Sequence, residues 1–207
     1  MKQYIIFDID GTLNRKDLYA VEAYEKALEK RDLKVERKEI IACIGLSPAA
    51  IIEKLFGILK EDELKAWRAD IERYEAVLMA ERACTFEGIE ETLTALKSAG
   101  YGLSICSNAY PDHINRVLSA LRLTSYFDRI GSLAMGSNKT EIIRRMIDET
   151  GCGALMVGDR RFDVWAARDN HIPVIGCAYG YAPEEVRDAD AIVWKPEEIL
   201  DAVKRLL

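Results

Sequence analysis

Hydrophobic and polar positions fall into two textures along this chain. Tyr4-Ile5-Ile6-Phe7 is a short apolar run bounded by a turn signal, and it predicts a buried strand. It stops at Asp8-Ile9-Asp10, followed by the turn Gly11-Thr12. Beyond this point apolar residues recur at three- and four-residue spacing, which predicts helices over residues 18–30, 38–44, 48–56 and 61–82. Leu64, Trp67, Ile71, Tyr74 and Leu78 form one stripe that reads as core. Ser47 before Pro48 marks a helix start.

From residue 86 onward the texture alternates. Helices are expected at 89–98, 112–121, 140–149, 162–168 and 196–206, and strands at 101–106, 128–133, 154–157, 172–176 and 191–194. Such alternation implies a parallel sheet wrapped by helices. The fold expected is therefore an α/β core formed by residues 1–14 and 85–207, interrupted after its first strand by an all-helical domain over 15–84. The insert would be tethered near 12–16 and 81–86. A lid beside the first strand can cover a site and exclude water.

Composition narrows the chemistry. The 207 residues are 49% apolar, ample for a core, and a net charge of −6 argues against a non-specific nucleic-acid binder. An anionic substrate would need local positive charge. The five cysteines are scattered with no Cys-x-x-Cys pair, so neither a disulfide framework nor a zinc site is suggested. His113 and His171 alone support neither a histidine-rich metal site nor a Ser-His-Asp triad. Lys2 followed directly by a strand does not read as a signal peptide, and no apolar stretch is long enough to span a bilayer. The expectation is a cytoplasmic protein with no membrane partner.

In open α/β sheets ligands bind at the carboxyl ends of strands, so each strand exit matters. The side-chain period of two puts Asp8 and Asp10 on the same side of the first. Two such acids repel unless a cation sits between them or one stays protonated. That suits phosphoryl transfer, with one acid as nucleophile and metal ligand and the other handling a proton; the alternative is a strand ending in an acidic turn. The strand ending at Cys106 delivers Ser107-Asn108, either phosphate-binding groups or ordinary turn chemistry. The strand ending at Val157 delivers Gly158-Asp159, with Asp163 in the first turn of the next helix. Oxygen ligands of this kind suit Mg²⁺, while an acid near a helix N-terminus is also favourable in itself. Lys139 opens a helix, against the preference of helix N-termini for negative charge. It is either a functional cation or a solvated surface lysine.

Taken together, Asp8-Ile9-Asp10-Gly11-Thr12-Leu13, Ser107-Asn108, Lys139 and Gly158-Asp159 with Asp163 resemble the four ordered motifs of the haloacid dehalogenase superfamily. The resemblance runs over nearly the whole chain. Glu87-Gly88-Ile89-Glu90, Ala99-Gly100-Tyr101 and Tyr179-Gly180-Tyr181 are similar to its phosphoglycolate-phosphatase-like branch. It implies a doubly wound, Rossmann-like core with an inserted helical cap. It further implies Asp8 as nucleophile forming an aspartyl-phosphate, and Asp10 as proton donor and then base. Mg²⁺ would be held by Asp8, the main-chain carbonyl of Asp10 and Asp159, with Asp163 in support. Ser107 and Lys139 would hold phosphoryl oxygens, with Asn108 acting through its amide or by orienting the loop. The activity implied is a Mg²⁺-dependent phosphatase of a small phosphate monoester such as phosphoglycolate, a nucleotide or a sugar phosphate.

The pattern also departs from the family. Relatives often carry Asp-Ser where Arg15-Lys16 stand, so two cations at the cap hinge either face the substrate or are solvated. Two other readings compete. Sugar-phosphate mutases keep the second acid but commonly carry a cap histidine where Ala20 stands here. A non-catalytic phosphate-binding module would be expected to lack Asp8, Asp10, Lys139 or Asp159, and all four are present.

Overall fold

The computed structural model describes residues 3–207, the side chain of Pro48 excepted. Lys2, on which the reading of the N-terminus leaned, lies outside them. Six strands form one parallel sheet: β1 (Tyr4–Phe7), β2 (Gly102–Cys106), β3 (Arg129–Gly131), β4 (Ala154–Gly158), β5 (Val174–Cys177) and β6 (Ala191–Val193). Their spatial order is β3-β2-β1-β4-β5-β6. β1 lies at the centre, with Phe7 in register with Ile105 of β2 and Val157 of β4. Every residue of β2 and β4 is buried, as expected where helices cover both faces of a parallel sheet.

Alternation along the strands assigns the two faces. Ile5 and Phe7 point to a layer shared with helices α5 (Ile89–Ser98), α6 (Pro111–Ala120) and α9 (Ile199–Leu206). Ile6 points to the opposite layer, with α7 (Lys139–Thr150) and α8 (Arg161–Asp169). The winding reverses at β1 and β4, which places the crevice of a doubly wound sheet at their exits.

Between β1 and α5 the chain is helical: α1 (Ala20–Glu29), α2 (Arg37–Ile41), α3 (Pro48–Phe56) and α4 (Glu61–Arg82). These helices bury a cluster of their own that includes Val21, Tyr24, Ile40, Ile52, Trp67 and Ile71. Phe56 stacks on Trp67 with ring centroids 3.9 Å apart, and the Arg31 guanidinium lies over the same indole. The stripe read from the sequence faces inward: Trp67, Ile71 and Leu78 are buried, and Leu64 and Tyr74 pack against core. Leu78 and Met79 join the layer beneath the sheet, so α4 belongs to both cores. The two connectors also hold each other. Arg15 N donates to the Cys84 carbonyl at 2.9 Å and Phe86 N to that of Leu13 at 3.1 Å. Among the described residues no helix is long and apolar enough to cross a membrane.

Three predicted helices start or stop two or more residues away from the expected position. The segment expected to be helical from residue 18 forms a 3₁₀ turn over Lys16–Leu18 before α1 begins at Ala20. The one expected to reach residue 44 stops at Ile41, because Gly45 reverses the backbone with φ +93° and the Ile44 carbonyl accepts from the Arg160 guanidinium. The last predicted helix opens with a 3₁₀ turn over Pro196–Glu198. Ser47 does cap α3, accepting from Ala50 N at 3.3 Å.

Ile52 is 1% exposed whereas Ile58 is 93% exposed. Ile52→Ala is therefore expected to lower stability by about 2–5 kcal/mol in urea unfolding. Ile58→Ala should stay within about 0.5 kcal/mol of the parent.

Candidate active site

Side chains from two strand exits and two helix starts meet in a small buried volume. Asp8 follows β1, with its backbone N–H fixed by the Val157 carbonyl at 2.9 Å. Lys139 begins α7 behind Asn138, whose side chain caps the helix by accepting from Glu141 N at 3.0 Å. The Lys139 ammonium lies 2.8 Å from Asp8 Oδ1 and pairs with Asp163 Oδ1 at 2.5 Å. Lys139 is only 4% exposed, so it is not a solvated surface lysine. Two carboxylates hold it where the helix dipole alone would not. Asp163 in turn accepts from Arg160 N at 3.0 Å. Asp159, fully buried at the exit of β4, accepts from Tyr181 N at 2.9 Å.

Glycine is required where the backbone crowds Asp159. At Gly11, with φ +92°, a Cβ would fall 2.2 Å from Asp159 Oδ2. At Gly180 it would fall 2.3 Å from Asp159 Cβ and 2.6 Å from the Gly11 carbonyl oxygen. A side chain at either position would displace the acid.

Asp8, Asp159 and Asp163 each bring one carboxylate oxygen within 4.8 Å of the others. Among the described residues, Asp8 Oδ2 and Asp159 Oδ1 are buried and find no hydrogen-bond partner. Unpaired buried acceptors are destabilising, and three carboxylates face a single ammonium. Burial pushes Asp8 up to about 7, with repulsion from Asp163 and Asp10 adding to it and Lys139 opposing. Burial, and then the charges of Asp8 and Asp163, also push Asp159 well above the usual carboxylate range. A set of bare oxygen ligands fits a hard divalent cation.

Asp10 stands in a different environment. Its Oδ1 accepts from the Asn14 amide at 2.8 Å, and its Oδ2 pairs with Lys16 Nζ at 2.9 Å. Burial raises its proton affinity, but Lys16, His113 and Asn14 together hold it below the usual value. The cations at the hinge thus divide. Lys16 turns inward to Asp10 and to Glu75 Oε1, 3.4 Å away. Arg15 turns aside to Asp17 at 2.9 Å and to the Phe86 ring. The reach of Asn14 and Lys16 back to Asp10 also explains the tight turn that delays α1.

Above these acids lies a cavity of about 280 Å³ between the sheet edge and the helical segment. Asp8, Asp10, Ser107 and Asn108 form its floor, and Tyr24, Leu46, Ile52 and Ile71 contribute apolar walls. Ser107 is buried, whereas the Asn108 side chain donates to the Gly45 carbonyl at 3.3 Å and so contacts the helical segment.

Sequence reasoning missed Arg160. It is 5% exposed, pairs with Glu185 at 2.9 Å, and donates to the carbonyls of Ile44 and Ala42 in the helical segment. The signal was available, since a cation at the start of α8 is as anomalous as Lys139 at the start of α7. Lys16 and Glu75 could not be paired by spacing, being distant in sequence.

The comparisons agree with this architecture. The family model described as haloacid dehalogenase-like hydrolase matches residues 5–177, and the chain belongs to that family. Curated relatives that it matches are named as phosphatases. A phosphoglycolate phosphatase of Agrobacterium fabrum is 29% identical, over 95% of this chain and 87% of its own length. A 5'-nucleotidase of Pseudomonas aeruginosa is 27% identical, over 87% and 85%. Among solved structures, a haloacid dehalogenase-like hydrolase from Streptococcus pneumoniae superposes with a TM-score of 0.86 at 21% identity, covering 98% of both chains. A β-phosphoglucomutase from Clostridium difficile superposes with 0.83 at 19% identity, covering 99% of this chain and 96% of its own, a likeness of fold alone.

Two outcomes test this geometry. Without metal, the folded protein holds the Asp8 proton up to about pH 7, whereas an ordinary carboxylate releases it near 3.8. Stability then falls as pH rises through that window, because the folded state binds more protons there than the unfolded state. Chelator-treated protein should melt at a lower temperature at about pH 8 than at about pH 5, and Mg²⁺ should narrow the gap. Separately, Arg160→Ala should speed amide exchange in residues 42–46 and leave β1 and β4 protected, measured by hydrogen–deuterium exchange.

Proposed function

We propose that this chain is a Mg²⁺-dependent phosphatase that hydrolyses a small-molecule phosphate monoester through a phosphoryl group carried covalently on Asp8. The observation that carries the reading is the pair of buried oxygens on Asp8 and Asp159 that make no hydrogen bond, beside Asp163 and Lys139. Asp8, Asp159 and the main-chain carbonyl of Asp10 would hold the ion, with Asp163 in support. When bound, Mg²⁺ supplies the positive charge that keeps Asp8 and Asp159 ionised and offsets charge on the phosphoryl oxygens.

The chain's own residues do the rest. Asp8 Oδ attacks phosphorus as the bond to the leaving oxygen breaks. Asp10 donates a proton to that oxygen, and then takes one from the water that cleaves the acyl phosphate. A phosphoryl dianion arriving beside Asp10 raises its affinity for the proton it must first carry. Lys139 and Ser107 hold phosphoryl oxygens, and Asn108 ties the floor of the site to the segment above it. We assign residues 15–84 the role of a cap that closes over the cavity, with Arg160 and Asn108 among its contacts with the core. A closed cap leaves room for a small ester rather than a macromolecule. The mutase alternative lacks support at Ala20, a buried methyl with no proton to exchange.

Hydrolysis of an aryl phosphate with Mg²⁺ tests the reading. Chelator should abolish it, and Asp8→Asn should lower kcat by about 10³-fold or more. Because Asp8→Asn also removes a repelled buried charge, the metal-free variant should melt no lower than the parent at about pH 8. Loss of activity together with loss of fold would contradict this assignment.

A further inference from the structure

A buried acid in the wall of the cavity has no part in the proposed chemistry. Glu75, on α4, is 8% exposed and lines the cavity above Asp10. Its Oε1 is buried and makes no hydrogen bond. The Lys16 ammonium lies 3.4 Å from it but hydrogen-bonds Asp10 instead, at 2.9 Å. Glu75 is therefore separated from the proposed proton donor by a single ammonium group. A donor on the leaving group, close to the ester oxygen that Asp10 serves, would fall within its reach.

The other charges around the cavity define what can enter. Of the buried cations, Lys139 is committed to Asp8 and Asp163, Arg160 to Glu185, and Lys16 is shared by Asp10 and Glu75. Arg68 and Arg116 stand at the exposed rim, each four residues along its helix from an acid, Glu72 and Asp112 respectively. A carboxylate or a second phosphate brought deep into this cavity would meet Glu75 where the ammonium beside it, that of Lys16, is already shared with Asp10, an arrangement that is unfavourable away from water. A hydroxyl would instead supply the hydrogen bond that Glu75 Oε1 lacks.

We propose that Glu75 determines specificity by accepting a hydrogen bond from a hydroxyl of the leaving group. The preferred substrates are phosphorylated polyols and sugars, not phosphoglycolate or pyrophosphate. The proposal rests on the phosphatase reading and goes beyond it by naming the substrate class. A site built to pair with a hydroxyl discriminates strongly against an analogue that lacks one, because its polar group is then left unpaired.

The test compares kcat/KM of the full chain with Mg²⁺ on glycerol phosphate, a pentose phosphate, phosphoglycolate and pyrophosphate, with nitrophenyl phosphate as reference. The parent should favour a hydroxylated ester over phosphoglycolate by about tenfold or more. Glu75→Leu should reduce the ratio of hydroxylated ester to nitrophenyl phosphate by about tenfold, chiefly through KM. Glu75→Gln removes the repelling charge and frees Lys16, so it should raise kcat/KM for phosphoglycolate by about threefold or more, a gain that a purely structural role for Glu75 would not produce. Equal or better use of phosphoglycolate or pyrophosphate by the parent would overturn the proposal. So would an unchanged selectivity ratio in Glu75→Leu, or no gain in Glu75→Gln. If nitrophenyl phosphate itself were not hydrolysed by the parent, the phosphatase reading would fall and this inference with it.

Discussion

Three buried carboxylates gathered around one ammonium are the constraint on which the rest of this structure depends. Asp8, Asp159 and Asp163 come from two strand exits and a helix start, and Lys139 neutralises only part of their charge. Such a group is tolerated only with further compensation, by protons or by a divalent cation. The sheet order serves this end. Placing β1 beside β4 delivers Asp8 and Asp159 side by side, and the start of α8 folds Asp163 back beneath them. Glycine at 11 and 180 leaves the space that Asp159 fills.

The second acid shows how far one fold can separate the behaviour of two carboxylates two residues apart. Asp8 is raised by burial and by like charge, whereas Asp10 is held low because Lys16, His113 and Asn14 outweigh its burial. The proposed nucleophile and proton carrier need different environments, and here the difference is made by Asn14 and Lys16 from the hinge and His113 from α6. Lys16 is the pivotal one: it links the acid at the floor of the cavity to Glu75 in its wall, and so couples the proposed chemistry to the proposed choice of leaving group.

Most of the sheet was legible in the sequence because its strands are continuous apolar runs punctuated by glycine and acids. The residues at its exits were legible because a carboxylate or lysine at such a place contradicts local electrostatics. Helices α3, α4 and α5 match their periodicity to the residue. The discrepancies lie where side chains make long-range commitments. α1 starts late where Asn14 and Lys16 reach back to Asp10, and α2 stops early where Arg160 takes the Ile44 carbonyl. Arg160, Lys16 and Glu75 were beyond spacing arguments because their partners are set by tertiary packing.

The central claim is that a divalent cation completes the cluster between the exits of β1 and β4. It is tested most directly by a crystal grown with Mn²⁺ in place of Mg²⁺, using the anomalous signal of manganese to locate the ion. The account predicts one strong peak contacting Asp8 and Asp159, absent from the Asp159→Asn protein. A map with no peak there, in crystals where both carboxylates are ordered and free of other cations, would contradict it.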